Sequence, residues 1–284
     1  MNKSPLPPWL VIDPLLKQWL REDIGRGDRT TNGLESNKVL TGYWLCKEQG
    51  MIAGLTIAAR VFHLLDGQTK FKLLGSEGQW CDVGQKIVDL QGNLDTLMMG
   101  ERVALNLAMH LSGIATMTRR YTEVIKDLPA QLVDTRKTTP GLRLLEKYAT
   151  QLGGAANHRV GLDDAVLIKD NHIAAAGGIG IAIEQIRATM PYPLSIEVET
   201  ETLEQVKTAI DHQADIIMLD NMTTQMMQQA VKIIRQSSDR IKIEASGNVT
   251  LDNLRAIAET GVDYISSSAP ITRSPWLDLS MKID

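Results

Sequence analysis

Residues 194–221, LSIEVETETLEQVKTAIDHQADIIMLDN, decide the fold. Leu194 to Val198 and Ile216 to Leu219 are short apolar, β-branched runs. Between them Leu203, Val206, Ala209 and Ile210 recur at helical spacing, so the stretch reads strand–helix–strand. The unit repeats along the second half of the chain. Leu132–Asp134, Val166–Ile168, Ile241–Glu244 and Tyr264–Ser266 bring the strands to six, with a seventh near Ala155–His158. Leu251, Leu254, Ile257 and Ala258 form a second helical stripe, opened by Thr250 with Asp252. Repeated units of this kind predict parallel strands joined by helical crossovers, here an incomplete or irregular α/β barrel. An open doubly wound sheet is the alternative, but no G-x-G-x-x-G follows any strand.

The first half has another character. Thr41–Lys47, Lys70–Leu74 and Gln85–Leu90 read as strands between Gly-rich turns, and Leu55–Leu65 and Leu97–Leu111 as helices. This predicts an α+β segment ending near Leu111–Thr118. Residues 79–92 (QWCDVGQKIVDLQG) resemble a lipoyl-type hairpin but carry no lysine at a tip, and read as an ordinary hairpin.

Composition narrows the function classes. The 284 residues are 43% apolar and 23% charged, enough to bury a full core. The net charge of −4 gives no global attraction to nucleic acid or to an anionic membrane. The opening Met1–Pro8 is broken by prolines. The longest apolar stretch without Lys, Arg, Asp or Glu, Val103–Thr118, falls short of the roughly 18 residues of a span and contains Asn106, His110 and Ser112. Cys46 and Cys81 form no C-x-x-C and read as two reduced thiols of a reducing cytoplasm.

Every strand of the second half delivers polar residues at its C-terminal end, where the loops of a parallel α/β barrel converge into active sites. Asp134, Arg136 and Lys137 end the first, Lys169 and Asp170 the second, Glu199 the third, and Asp220 with Asn221 the fourth. Ser246-Gly247-Asn248 and Ser266-Ser267-Ser268 follow the last two. Arg136, Lys137, His158, Arg159 and Lys169 form a dense cationic group, which calls for an anionic ligand. Glu199 and Asp220 are placed to hold Mg²⁺ through its waters or to bind ribose hydroxyls. Backbone N–H groups at Gly247 and near Ser268 lie where barrels bind phosphate. A multiply anionic substrate, a phosphosugar and Mg²⁺ together fit a phosphoribosyl transfer. His63, His110 and His212 sit on helical patterns and read as structural or solvated. Met226 and Met227 read as core.

At these residues the chain resembles the quinolinate phosphoribosyltransferases. The likeness runs through Glu22–Asp28, Glu101–Asn106, Leu111–Thr116, Asp134–Gly141, Asn157–Asp164, Leu167–His172, Glu197–Glu199, Leu219–Asn221 and Glu244–Gly247. It implies an N-terminal sandwich domain over residues 1–114, joined by the tail 275–284, and a catalytic barrel over residues 115–274. It also implies a homodimer, sometimes assembled into hexamers, in which each sandwich caps the partner's barrel. Quinolinate would be held by Arg136, His158, Arg159 and Lys169, with Arg102 reaching in from the partner. The phosphoribosyl diphosphate would be held by Lys137, Glu199, Asp220, Ser246, Gly247, Asn248, Ser267, Ser268 and Arg273. Lys137, Lys169, Glu199 and Asp220 would serve catalysis, with Mg²⁺ at Glu199 and Asp220. The chain departs from the family pattern where Ser268 replaces a Gly and Arg273 a His. Two other readings are a paralogue associated with molybdate transport and a non-catalytic phosphosugar-binding barrel. The first should lack part of the Arg102, Arg136, His158 and Arg159 set, and the second an acid or Lys169; all are present.

Overall fold

The computed structural model describes residues 6–34 and 38–284; Met1–Pro5 of the proline-broken opening lie outside them. The first part of the chain forms α1 (Trp9–Ile24), β1 (Val39–Cys46), β2 (Gly50–Met51), α2 (Leu55–Leu65), β3 (Lys70–Leu73), β4 (Trp80–Cys81), β5 (Lys86–Asn93) and α3 (Leu94–Val124). There follow β6 (Gln131–Val133), α4 (Arg143–Leu152), β7 (Val166–Ile168), α5 (Asp170–Ala176), α6 (Ile179–Thr189), β8 (Ile196–Thr200) and α7 (Leu203–Asp211). The chain ends with β9 (Ile216–Asp220), α8 (Thr224–Ser237), β10 (Lys242–Ser246), α9 (Leu251–Ala258), β11 (Tyr264–Ser266), α10 (Ala269–Thr272) and β12 (Leu279–Ile283). These elements divide into two compact units. One comprises Met1–Arg119, Thr139–Gly154 and Arg273–Asp284, the other Arg120–Thr138 and Ala155–Thr272.

The first unit is an α+β open sandwich. Its main sheet is antiparallel, in the order β12-β1-β5-β3. Helix α2 buries Leu55, Ile57, Ala58, Val61 and Phe62, and Phe62 stacks on Phe71 of β3 with ring centroids 5.6 Å apart. Trp44 of β1 meets the same Phe71 edge-on at 5.4 Å. Helix α3 runs well past the expected Leu111. The polar residues within it have partners rather than breaking it: Ser112 Oγ accepts the Ala53 N–H at 2.9 Å, and Thr116 Oγ1 the Met51 N–H at 2.8 Å. Gly113 lets the tail reach the helix at backbone distance, because a Cβ there would strike the Pro275 carbonyl. His110 is structural: its Nε2 lies 2.8 Å from Glu146 of α4, a fully buried carboxylate that also accepts the Thr139 N–H at 2.9 Å.

Two expectations fail in this unit. Residues 79–92 are not a hairpin, because β4 pairs with β2 while β5 lies between β1 and β3. The turn at Asp82–Gln85, with Gly84 at φ 82°, hydrogen-bonds to the end of β1 instead: Gly84 N–H donates to the Cys46 carbonyl at 2.7 Å, and Cys46 N–H to the Gln85 carbonyl at 3.0 Å. The same turn brings the buried Cys46 and Cys81 together as a disulfide with Cα atoms 6.9 Å apart, so they are not two reduced thiols. A separation of 35 residues carries no trace of this in sequence.

The second unit is an incomplete α/β barrel. Six parallel strands run in the order β6-β11-β10-β9-β8-β7. The expected seventh strand is reduced to one parallel bridge, Val133 to Ala156. Capping fixes where the crossover helices begin. Thr202 and Gln205 cap α7 reciprocally, and Thr250 with Asn253 does the same for α9.

Candidate active site

Side chains alternate across a strand, so one face of the second unit's sheet is written in every other residue. Ile196, Val198, Ile217, Leu219, Ile243, Ala245 and Ile265 are all buried apolar residues on one face. The register places Glu197, Glu199, Met218, Asp220, Glu244, Ser246 and Ser266 together on the other. An apolar face suits the covering helices. The opposite face therefore carries the chemistry: Glu199, Asp220 and Ser246 on it are half-buried, whereas Glu197, Glu244 and Ser266 are buried.

The loops bring the cations to this face. Asp134, buried at the end of β6, accepts the His158 N–H at 2.9 Å and the Asn157 amide at 2.6 Å. It thereby ties the loop carrying His158 and Arg159 to the strand that leads to Arg136 and Lys137. Arg136 is half-buried, and its Nε is a buried donor with no hydrogen-bond partner. Arg159 donates to the Ala165 carbonyl at 2.9 Å. Its guanidinium is held below the ordinary arginine range, first by burial and then by the charge of Arg136. Lys169 opens α5, and its backbone N–H donates to His172 Nδ1 at 3.0 Å, which gives that histidine a structural task. Lys169 Nζ stands 3.4 Å from Glu199 Oε2.

The acids have distinct surroundings. Burial raises the Glu199 carboxyl above the usual range, Lys169 draws it down, and the Asp220 charge raises it again. Asp220 accepts from the Asn221 amide at 2.7 Å, and Asn221 in turn accepts from the Asn248 amide at 3.1 Å. Asn221 and Asn248 adopt left-handed backbone, at φ 53° and 51°, and Gly247 between the strand ends lies at φ 95°. A Cβ on Gly247 would run into the Asn221 carboxamide, so only glycine fits there. The buried Glu244 is pushed up to about 7 by burial and by the neighbouring Glu197.

The structure brings Arg136, Lys137, His158, Arg159, Lys169, Glu199, Asp220, Ser246, Gly247, Asn248, Ser267 and Ser268 into the second unit. Ser267 is buried, and its hydroxyl accepts the Ala269 N–H at 3.2 Å. Ser268 is not among the described residues with left-handed backbone. Arg102 and Arg273 lie in the first unit and are exposed, Arg102 3.8 Å from Glu101. Sequence pattern assigns no role to Glu197, Glu244, Asn157 or Asn221. The signal for the two acids is their place in the alternation, each two residues before a polar strand end.

Both halves of the chain match family models. Residues 28–112 match the N-terminal domain of quinolinate phosphoribosyl transferase, and residues 114–282 the C-terminal domain of the same enzyme. The chain belongs to the quinolinate phosphoribosyltransferase family. A relative from Synechocystis, called a probable carboxylating nicotinate-nucleotide pyrophosphorylase, is 63% identical over 98% of this chain and 94% of its own length. A Bacillus subtilis relative of the same description is 42% identical, over 96% of this chain and 94% of its own. Among solved structures, a nicotinate-nucleotide pyrophosphorylase from Francisella tularensis superimposes with a TM-score of 0.94 at 36% identity, covering 100% of both chains.

Proposed function

We propose that the polar face of the second unit is the reaction centre of this enzyme. Family membership sets the reaction. 5-Phosphoribosyl 1-diphosphate and quinolinate give nicotinate mononucleotide, diphosphate and CO₂, a pentosyl transfer in de novo NAD synthesis. The observation that carries the placement is the pair Arg136 and Arg159: two guanidiniums close enough to repel, one with an orphaned buried donor. Half-buried cations of this kind suit an anion whose carboxylates replace lost hydration.

In this reading Arg136, Arg159 and Lys169 hold the quinolinate carboxylates, with Arg102 contributed by a partner subunit. Each charge-assisted bond is worth about 1.5–3 kcal/mol. The bound ring presents its nitrogen to ribose C1. As diphosphate departs, Lys137 and Lys169 match its charge, and Glu199 and Asp220 face the developing positive charge on the ribose. As the 2-carboxylate leaves as CO₂, its bonding pair stays on C2 beside the quaternised nitrogen, and C2 takes up a proton from water to give the C–H bond of nicotinate mononucleotide. No protein nucleophile is required.

Glu199 and Asp220 suit Mg²⁺: both are hard oxygen donors and half-buried, and the Glu199 carboxyl is raised chiefly by burial, with the Asp220 charge adding to it. Mg²⁺ held there would neutralise the diphosphate. Replacing Asp220 with Asn should raise the Mg²⁺ concentration for half-maximal rate by about 10–100-fold, the cost of losing a carboxylate that holds the ion through water. An unchanged Mg²⁺ requirement in a Mg²⁺ titration of the variant would remove Asp220 from that role.

Gly247, Asn248, Ser246, Ser267 and Ser268 would cradle the sugar phosphates, with Arg273 adding a permanent charge and a two-pronged donor where the family has a titrating His. Arg273→Ala should raise the Michaelis constant for phosphoribosyl diphosphate about tenfold or more, one charge-assisted bond. The constant for quinolinate should stay nearly unchanged. A shift below about twofold in both would leave Arg273 a surface residue. We further read the enzyme as a cytoplasmic homodimer or hexamer acting on small molecules, without nucleic-acid or membrane partners. Among the described residues no helix is long and apolar enough to cross a membrane.

A further inference from the structure

His158 is expected among the cations facing quinolinate, yet its ring nitrogens are engaged elsewhere. Nδ1 accepts the Arg159 backbone N–H at 2.8 Å. Nε2 stands 3.1 Å from Glu197 Oε2 and 3.6 Å from Glu244 Oε2. Both glutamates are about 4% exposed, and Glu244 is also hydrogen-bonded to Ser266. A nitrogen that accepts an amide N–H carries no proton of its own. The ring's proton is therefore on Nε2, where Glu197 accepts it. An imidazolium would turn an Nδ1–H against the Arg159 N–H. The three side chains also have the composition of a metal site, with ligand atoms within 4.8 Å of one another. With Nδ1 an acceptor, however, a metal on Nε2 would require an imidazolate.

The consequence concerns Arg159. Its backbone is fixed by His158 Nδ1 at one end, and its guanidinium by the Ala165 carbonyl at 2.9 Å at the other. The ring is fixed in turn from behind by the acids, and its backbone by Asp134. We infer that Glu197 and Glu244 are positioning residues. They hold His158 as the neutral Nε2–H tautomer, so that it orients Arg159 for the substrate carboxylate and adds no charge to the pocket itself. The orienting half of this inference rests on the proposed role of Arg159; the tautomer half does not.

Protein labelled with ¹⁵N-histidine separates the two. The resonances of His158 are those missing from a His158→Gln variant. The expected spectrum has one bare ring nitrogen, Nδ1, and a protonated Nε2, unchanged when quinolinate is added. Two protonated nitrogens, or the Nδ1–H tautomer, would overturn the inference, whether or not any variant folds. The kinetic arm compares Glu197→Gln, whose amide oxygen still accepts from Nε2, with Glu197→Leu, which cannot. Glu197→Gln should keep the quinolinate Michaelis constant within about threefold. Glu197→Leu should raise it about tenfold or more, one hydrogen bond to a charged partner, while the constant for phosphoribosyl diphosphate moves less than about twofold. A folded Glu197→Leu enzyme with neither constant changed, or with both raised alike, contradicts the orienting role. An unchanged quinolinate constant in Arg159→Ala would refute the pocket reading and leave the spectrum to decide the tautomer.

Discussion

Nicotinate, offered in place of quinolinate, should be turned over at least about a thousandfold less efficiently, a difference of roughly 4 kcal/mol in transition-state stabilisation. The reason is what a second carboxylate leaves behind when it is missing. Arg136 and Arg159 are close enough for the charge of one to depress the other, and the Arg136 Nε is buried without a partner. A single carboxylate would satisfy part of this set and seal the rest from water. Unpaired buried donors cost more than an absent contact, because they have surrendered hydration for nothing. Nicotinamide, with no carboxylate, should be poorer still. The check is kcat/KM for the three acceptors at saturating phosphoribosyl diphosphate. Comparable values for nicotinate and quinolinate would mean that these arginines do not read the two carboxylates.

The second large effect is a rescue. Arg102 lies exposed on α3 in the first unit, with a long 3.8 Å contact to Glu101. If it completes a partner's barrel, an Arg102→Ala subunit keeps a sound barrel of its own and fails only its neighbour. A Lys169→Ala subunit has a defective barrel and a sound Arg102. Each homodimer should be nearly inactive, losing at least about a hundredfold for a charge-assisted bond at the upper end of its range. The heterodimer should regain up to one working site, close to half the activity of the unaltered dimer. Co-expression with two tags and purification through both gives the species to assay. A heterodimer as inactive as its parents, with both subunits folded and paired, would place Arg102 in its own subunit or outside the site.

Much of the fold is legible in the sequence. The strand–helix rhythm of residues 194–221 announces the second unit: in β8 Ile196 and Val198 alternate with Glu197 and Glu199, β9 is a short apolar run, and the stripe of α7 lies between them. Helix α2 spans Leu55–Leu65 as its stripe predicts. What escapes is short or distant. Strands β2 and β4 are two residues each, too short to show a period, so the pairing that undoes the hairpin and joins Cys46 to Cys81 has no local signal. Helix α3 outruns its expected end because Ser112 and Thr116 look like breaks but serve the backbone at Met51 and Ala53. Glu146 is buried beside His110 across 36 residues, and Glu197 and Glu244 meet His158 only once three separate segments converge. Local pattern gives a side chain's face; it does not give its partner on another loop.

In the proposed reading, one site on the second unit's polar face couples sugar transfer to loss of the 2-carboxylate. Quinolinate labelled with ¹³C at that carboxylate, supplied with phosphoribosyl diphosphate and Mg²⁺, tests it directly. One labelled CO₂ is expected for each nicotinate mononucleotide formed, and neither product when phosphoribosyl diphosphate is withheld. Labelled CO₂ released without the sugar donor, or a ribosylated product that retains the label, would contradict it.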